Sequence, residues 1–306
     1  MSFRVRQAAA GRMVGITWRR SAVRGLLRGA AALPPRHAQP LEEMPALGDA
    51  EEVLAEAAAH LGRWHAVAAY WPPQRDRGRA YLHFLDERGK ARAFLKLANG
   101  TDAAALARER DALATLGGGS WPLTTPPLLA GGDTGDTHWL LTGPLPRVGR
   151  QTLKPMMKVP ATVIEEIRGE TRLVPPSELD TLSWWADLQQ RLDEAPEAFV
   201  HDLETAAAEG VEVGRGHGDF CAHNVVTVAG RVWVFDWEEY AHDAPIDQDV
   251  VNFRLVRGDD LAEVRGAPGD PAYRRFVLCC GFGLARDIPR FRAIDDRWKR
   301  LRPEVQ

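Results

Sequence analysis

An α+β protein in two lobes, β-rich first and mainly helical second, is the fold class this sequence predicts, on three observations. Strand-like segments cluster before residue 143, helical periodicity dominates after it, and Gly143-Pro144 interrupts the chain between them. With 306 residues, 45% of them hydrophobic and 26% charged, the chain can bury one large core or two modest ones. The expected division is a basic extension over 1–44, a small N-lobe over 45–142 and a larger C-lobe over 143–306.

Val53, Leu54, Ala57, Ala58 and Leu61 recur at helical spacing and predict a helix from Asp49 to about Leu61. A run of turn and charge, Pro72 to Gly78, precedes two strand-like segments, Arg79–Leu85 and Ala91–Ala98, joined at Glu87-Arg88-Gly89. Asn99 to Asp102 then caps a helix from Ala103 to Leu116, which Gly117-Gly118-Gly119 stops. His138–Thr142 is a further strand. Residues 175–213 read as helical, best from Ser177 to Leu192, and the chain beyond residue 240 reads as helical with breaks at Pro271 and Pro289.

Charge narrows the partners. Residues 1–41 hold eight arginines and no acid, whereas the rest of the chain carries 31 basic against 42 acidic residues. A net charge of −3 predicts no bulk attraction to nucleic acid. Arg24 and Arg28 interrupt the apolar stretch Val23 to Leu33, so no stable membrane insertion is expected. Basic, acid-free leaders also occur as transit peptides or on anionic surfaces, but composition favours a frayed extension or a start too far upstream. Cys221, Cys279 and Cys280 form neither a disulfide framework nor a common zinc pattern, which points to a reducing cytoplasm.

The chemistry concentrates in Gly216 to Tyr240, GHGDFCAHNVVTVAGRVWVFDWEEY. Val225–Val228 and Arg231–Phe235 are short apolar strands joined by Ala229-Gly230, a hairpin with a two-residue turn. That register sets Asn224 opposite Phe235, with Asp236 next at the same open end. Cross-strand neighbours lie about 5 Å apart, so the Asn224 amide and the Asp236 carboxylate can reach one point. Such oxygen donors, with no soft ligand among them, suit Mg²⁺. Asp219, on the loop entering the hairpin, is placed to accept a proton from a hydroxyl beside that metal. A buried hairpin with polar caps would explain one such residue alone, but not the ordered set.

His217-Gly218-Asp219-Phe220-(x3)-Asn224, followed by Val234-Phe235-Asp236-Trp237-Glu238, resembles the catalytic loop and metal-binding strand of the aminoglycoside phosphotransferase and choline kinase families. The resemblance implies a two-lobed protein-kinase-like fold, ATP and Mg²⁺ as cofactors, and phosphoryl transfer to a hydroxyl of a small molecule. It implies that Asp219 is the base or hydroxyl-orienting residue, that His217 braces the loop by hydrogen bonds, and that Asn224 and Asp236 hold Mg²⁺. Pro245 to Asp249 resembles the segment after the metal strand, which implies that Asp249 anchors the loop from beneath, with Asp247 as the alternative.

Kinase-like folds also place a lysine on a strand and a glutamate on the next helix. Lys96 sits in the apolar strand on the face of Phe94 and Ala98. Glu109, thirteen residues on, lines up with Ala105, Ala112 and Leu116. A charge on each of two apolar faces is costly unless the two pair, so an ion pair that binds nucleotide phosphates is expected, against a snorkelling Lys and a solvated Glu. His138–Gly143 takes the place of the adenine-contacting hinge strand by position.

Departures limit the resemblance, which covers residues 80–255. No paired-glycine loop covers the phosphates, and the turn Pro73 to Arg79 offers Arg77 or Arg79 in its place, or only a solvated turn. The absence of a segment ending in Ala-Pro-Glu argues against a protein kinase. From Glu165 to Val213 stand thirteen acids against three arginines, which would suit a cationic amine but are more simply solvated helix faces. Trp184-Trp185 offers a surface for a sugar ring, with at least one of the two expected in the core. Two other functions compete: an ATP-binding protein without turnover, and a metal-dependent hydrolase using His217, Asp219, His223 and Asp236.

Overall fold

The computed structural model describes residues 49–62, 64, 66–70, 78–117, 123–144, 161–228, 230–257 and 269–286. The leader, the turn Pro73 to Arg77 and Pro289 lie outside them. In chain order the elements are α1 (Ala50–Leu61), β1 (Ala66–Tyr70), β2 (Arg79–Leu85), β3 (Ala91–Ala98), α2 (Ala103–Leu116), β4 (Leu123–Thr124), β5 (Leu128–Thr134) and β6 (Thr137–Thr142). There follow α3 (Ala161–Arg168), β7 (Arg172–Val174), α4 (Trp185–Gln189), α5 (Glu197–Ala207) and β8 (Val211–Gly216). Last come β9 (Val225–Val228), β10 (Arg231–Val234), β11 (Ala241–Pro245), α6 (Gln248–Arg257) and α7 (Pro271–Ala285). Helix and sheet are mixed, with the sheet-rich part first and most helices later.

The chain forms two compact units, Met1–Pro155 with Val226–Phe235, and Met156–Val225 with Asp236–Gln306. In the first, a five-stranded antiparallel sheet runs β1-β2-β3-β6-β5. Alternation along the strands divides its faces. Ala80, Leu82, Phe84, Ala93, Leu95, Leu97, Trp139 and Leu141 form a core with Val53 and Ala57 of α1. Lys96, Tyr81 and Phe94 fall at the intervening positions, and Lys96 is the register partner of Tyr81 and Leu140. A smaller sheet, β4-β10-β9, belongs to the same unit.

Strand β5 carried no strand signal because Gly131-Gly132 interrupts it. The glycine lies close against a ring: a Cβ on Gly132 would meet the Trp139 indole at 3.2 Å, a tight contact.

In the second unit, the antiparallel sheet β11-β8-β7 backs a helical core. Trp184, Trp185, Leu188, Phe199, Leu203, Phe276 and Phe282 meet there. Both tryptophans are therefore core, and neither is left to stack on a sugar. The stretch 177–192, expected as one helix, is broken into a 3-10 turn and the short α4, while the longer helix is α5. Apolar periodicity marked the burial correctly, but Pro175-Pro176 and Pro196 set where helix can form. Val211–Gly216 is a strand where helix was expected as far as residue 213, Ala241–Pro245 is a strand where helix was expected, and Pro271 starts α7 as its first residue instead of breaking a helix. Among the described residues no helix is long and apolar enough to cross a membrane.

Candidate active site

In the first unit Lys96 Nζ lies 2.6 Å from Glu109 Oε2, with both side chains at least nine-tenths buried. β3 presents the lysine and α2 the glutamate, each from a row of apolar neighbours. Taking either charge out of water alone would cost several kcal/mol, so each makes the other's burial possible. The ammonium also sits 5.8 Å from the centre of the Tyr81 ring. Arg79, offered above as a phosphate contact, is instead buried in an ion pair with Asp102 at 2.7 Å.

In the second unit the segment 217–224 is irregular backbone, so its groups must find partners outside a ladder. Asp249, at the start of α6, supplies two: its carboxylate accepts the His217 N–H and the Gly218 N–H, each at 2.9 Å. The anchor is thus Asp249; Asp247 pairs with Arg275 at 3.2 Å and faces Arg168 at 3.6 Å. Burial raises the Asp249 carboxyl above its ordinary value, opposed by the charge of His217 and by the two N–H bonds. Gly218 has φ 79°, and a Cβ there would collide with the Glu239 carbonyl oxygen. Only glycine lets the chain turn there and present Asp219.

His217 is fully buried, its ring 4.5 Å from that of Trp237 and 5.8 Å from that of Phe220, centre to centre. It supports the loop by packing and through its backbone N–H. Asp219 is half-buried and held by amides. Asn224 Nδ2 donates to Asp219 Oδ2 at 3.3 Å and to the Asp219 carbonyl at 3.0 Å. Those bonds direct the Asn224 amide nitrogen at Asp219.

The two short strands of the hairpin form where expected, with β10 between β4 and β9. Asp236 follows β10 with φ 71°, the one non-glycine residue in the left-handed region among those described. Such backbone costs on the order of 1–2 kcal/mol and persists where neighbours enforce it. The Asp236 and Glu238 carboxylates have oxygens within 4.8 Å of each other. Carboxylate and amide oxygens are hard donors of the kind Mg²⁺ takes, and the Asp236–Glu238 pair fits that ion. Glu238 had no role in the sequence reading, although its place two residues after Asp236 was the available signal. Among the described residues, no cluster of ligand atoms gathers His217, Asp219 and His223.

No family model matches the chain, and no curated protein does. Solved structures do. The chain is similar to small-molecule phosphotransferases. An aminoglycoside phosphotransferase from Streptomyces rimosus matches with TM-score 0.42 and 18% identity, over 81% of this chain and 97% of that one. A choline/ethanolamine kinase family protein from Mesorhizobium loti matches with TM-score 0.42 and 14% identity, over 82% and 93%. The GDP complex of wild-type aminoglycoside 2'-phosphotransferase-IIIa matches with TM-score 0.48 and 12% identity, over 81% and 94%. At such scores the likeness assigns no role to any residue, and the chemistry has to come from the side chains themselves.

Proposed function

We propose that this chain is an ATP-dependent phosphotransferase that moves the γ-phosphoryl group to a hydroxyl of a small molecule. The observation that carries the reading is the Asp219 carboxylate, held by amide N–H groups on a loop whose backbone Asp249 pins from below. An acid so fixed, half-exposed and fed by neutral donors, is built to orient a hydroxyl and take its proton. In the step proposed, the acceptor oxygen bonds to the γ-phosphorus as the bond to the β-phosphate bridging oxygen breaks. ADP leaves with that electron pair, and the hydroxyl proton passes to Asp219.

Lys96, held by Glu109, would bind the α- and β-phosphates, which assigns nucleotide binding to residues 45–142 and the catalytic loop, metal site and acceptor site to 143–306. Asn224, Asp236 and Glu238 would hold Mg²⁺, which when bound neutralises charge on the phosphates. His217 keeps the loop in place. A reducing cytoplasm is the compartment proposed, since the three cysteines have the count and spacing of neither a disulfide framework nor a common zinc site. The acid-rich stretch gives no support to a cationic acceptor: of its thirteen acids only Asp202 is buried, and that one is bonded by Tyr273 Oη at 2.6 Å.

The test is Mg²⁺-dependent ATP binding by thermal shift, then ATP consumption against a panel of aminoglycosides, amino alcohols and sugars. Asp219→Ala should keep nucleotide binding and lose turnover by about 100-fold or more. Tight ATP binding without turnover across the panel would replace the proposal with a non-catalytic nucleotide-binding role. Stabilisation by transition metals without ATP would favour the hydrolase.

A further inference from the structure

Asp249 is not the only residue of α6 that reaches the loop. Asn252, three residues on, is fully buried. Its Nδ2 donates to the Phe220 carbonyl at 3.1 Å and to Asp219 Oδ1 at 3.4 Å. Residues three apart lie on one helical face, so a single face of α6 grips the loop at residues 217, 218, 219 and 220. Asn224 meets the other carboxylate oxygen, Oδ2, from the hairpin side. The carboxylate is therefore held from two directions, one amide to each oxygen.

We infer that Asn252 is a positioning residue: it fixes the rotation of the Asp219 carboxylate so that a lone pair of the acid faces the acceptor hydroxyl. The inference rests on the phosphotransfer reading for its consequence, but not for its geometry. Val251, Phe253 and Leu255 are buried on the same helix, and a fully buried position there would accept an apolar side chain more cheaply than an unbonded amide. An amide there is explained by what it bonds. It is neutral, so it orients the acid without the proton competition that a lysine would bring. With Asn224 alone, the carboxylate could swing about its last torsion, which is soft. With both amides the plane is set before any substrate arrives, and the 3.4 Å bond is of the long kind that tightens in a reacting complex.

The experiment replaces Asn252 by Leu, which keeps the branched shape and removes the donor, with Asn252→Ser as a second variant should the first fail to fold. For Asn252→Leu, kcat should fall about 10- to 100-fold, the loss expected of a misplaced catalytic group, while ATP affinity and the acceptor KM hold. The same substitution in an Asp219→Ala background should change residual turnover little, because its effect runs through that carboxylate. A crystal structure of the single variant should show the Asp219 carboxylate rotated with the His217–Asp249 bond intact. A raised KM with unchanged kcat, or an equal loss in the Asp219→Ala background, would overturn the inference. An unmoved carboxylate in the variant would overturn it as well, and this arm decides even if the wild type turns over no acceptor. Absent turnover in the wild type would count against the phosphotransfer reading alone.

Discussion

The two units bury polar chemistry in opposite ways. In the first, regular elements carry full charges: a strand lysine and a helix glutamate, paired at 2.6 Å inside apolar surroundings. In the second, irregular backbone carries the acid: two side-chain amides hold Asp219, and the buried Asp249 carboxylate takes the loop's own N–H groups. A buried ion pair leaves a full uncompensated charge when one partner goes, whereas a network of neutral bonds loses one bond at a time. The first arrangement suits a fixed binding element. The second suits a group that has to stay exposed and reactive while its direction is set.

The largest expected effect tests the first half of that contrast. Lys96→Met should cost about 3–5 kcal/mol by urea denaturation, because Glu109 is left buried and charged. Lys96→Met with Glu109→Leu should recover most of that stability and none of the nucleotide binding. If the double variant is no more stable than the single one, the pair is not what governs burial there. Next, Asp249→Ala strands two backbone N–H groups and should cost about 3 kcal/mol, with His217 and Gly218 amides exchanging faster in hydrogen exchange. Unchanged exchange would show that the loop holds its shape unaided.

A smaller change separates stability from activity. Asp236→Gly removes the left-handed strain and should leave stability level or raise it by about 1–2 kcal/mol, while Mg²⁺-dependent turnover is lost. A destabilised Gly variant would mean the backbone there is unstrained. The smallest effect is a slope. The folded chain holds the Asp249 proton more tightly than the unfolded chain does, so folding takes up a proton above pH 3.8. Stability from this group is present below that value and declines as pH rises through the raised folded value. Measured against Asp249→Asn, which cannot titrate, the wild type should lose relative stability as pH rises through that window. The opposite slope would break the assignment.

Much of the first unit was legible in advance. The bounds of β2, β3 and α2 coincide with those expected, because apolar alternation, a helical stripe and a glycine stop each encode their element locally. The pairing of Lys96 with Glu109 could be anticipated for a related reason, since charges on apolar faces need partners. Strand β5 was missed because its glycines answer to Trp139 and not to any rule of the strand itself.

In the second unit local signals misled. Apolar periodicity over 177–192 reported burial truly but not helix, and β11 looked helical because nothing in Ala-His-Asp-Ala-Pro announces pairing with β8. Asp249 was the expected anchor and Asp247 the alternative, and the contacts bear out the first; Asn252 looked like an ordinary helix residue.

What the sequence settled by itself was the inventory and its order: a strand lysine, a helix glutamate, then an acid, an amide and an acid around a short hairpin. Those are facts of residue type and spacing, read within one or two turns of chain. What tertiary structure alone decided was direction: which oxygen of Asp219 each amide meets, and that Asn252 reaches the loop at all. Direction depends on contacts between segments some thirty residues apart, and no local pattern carries that information.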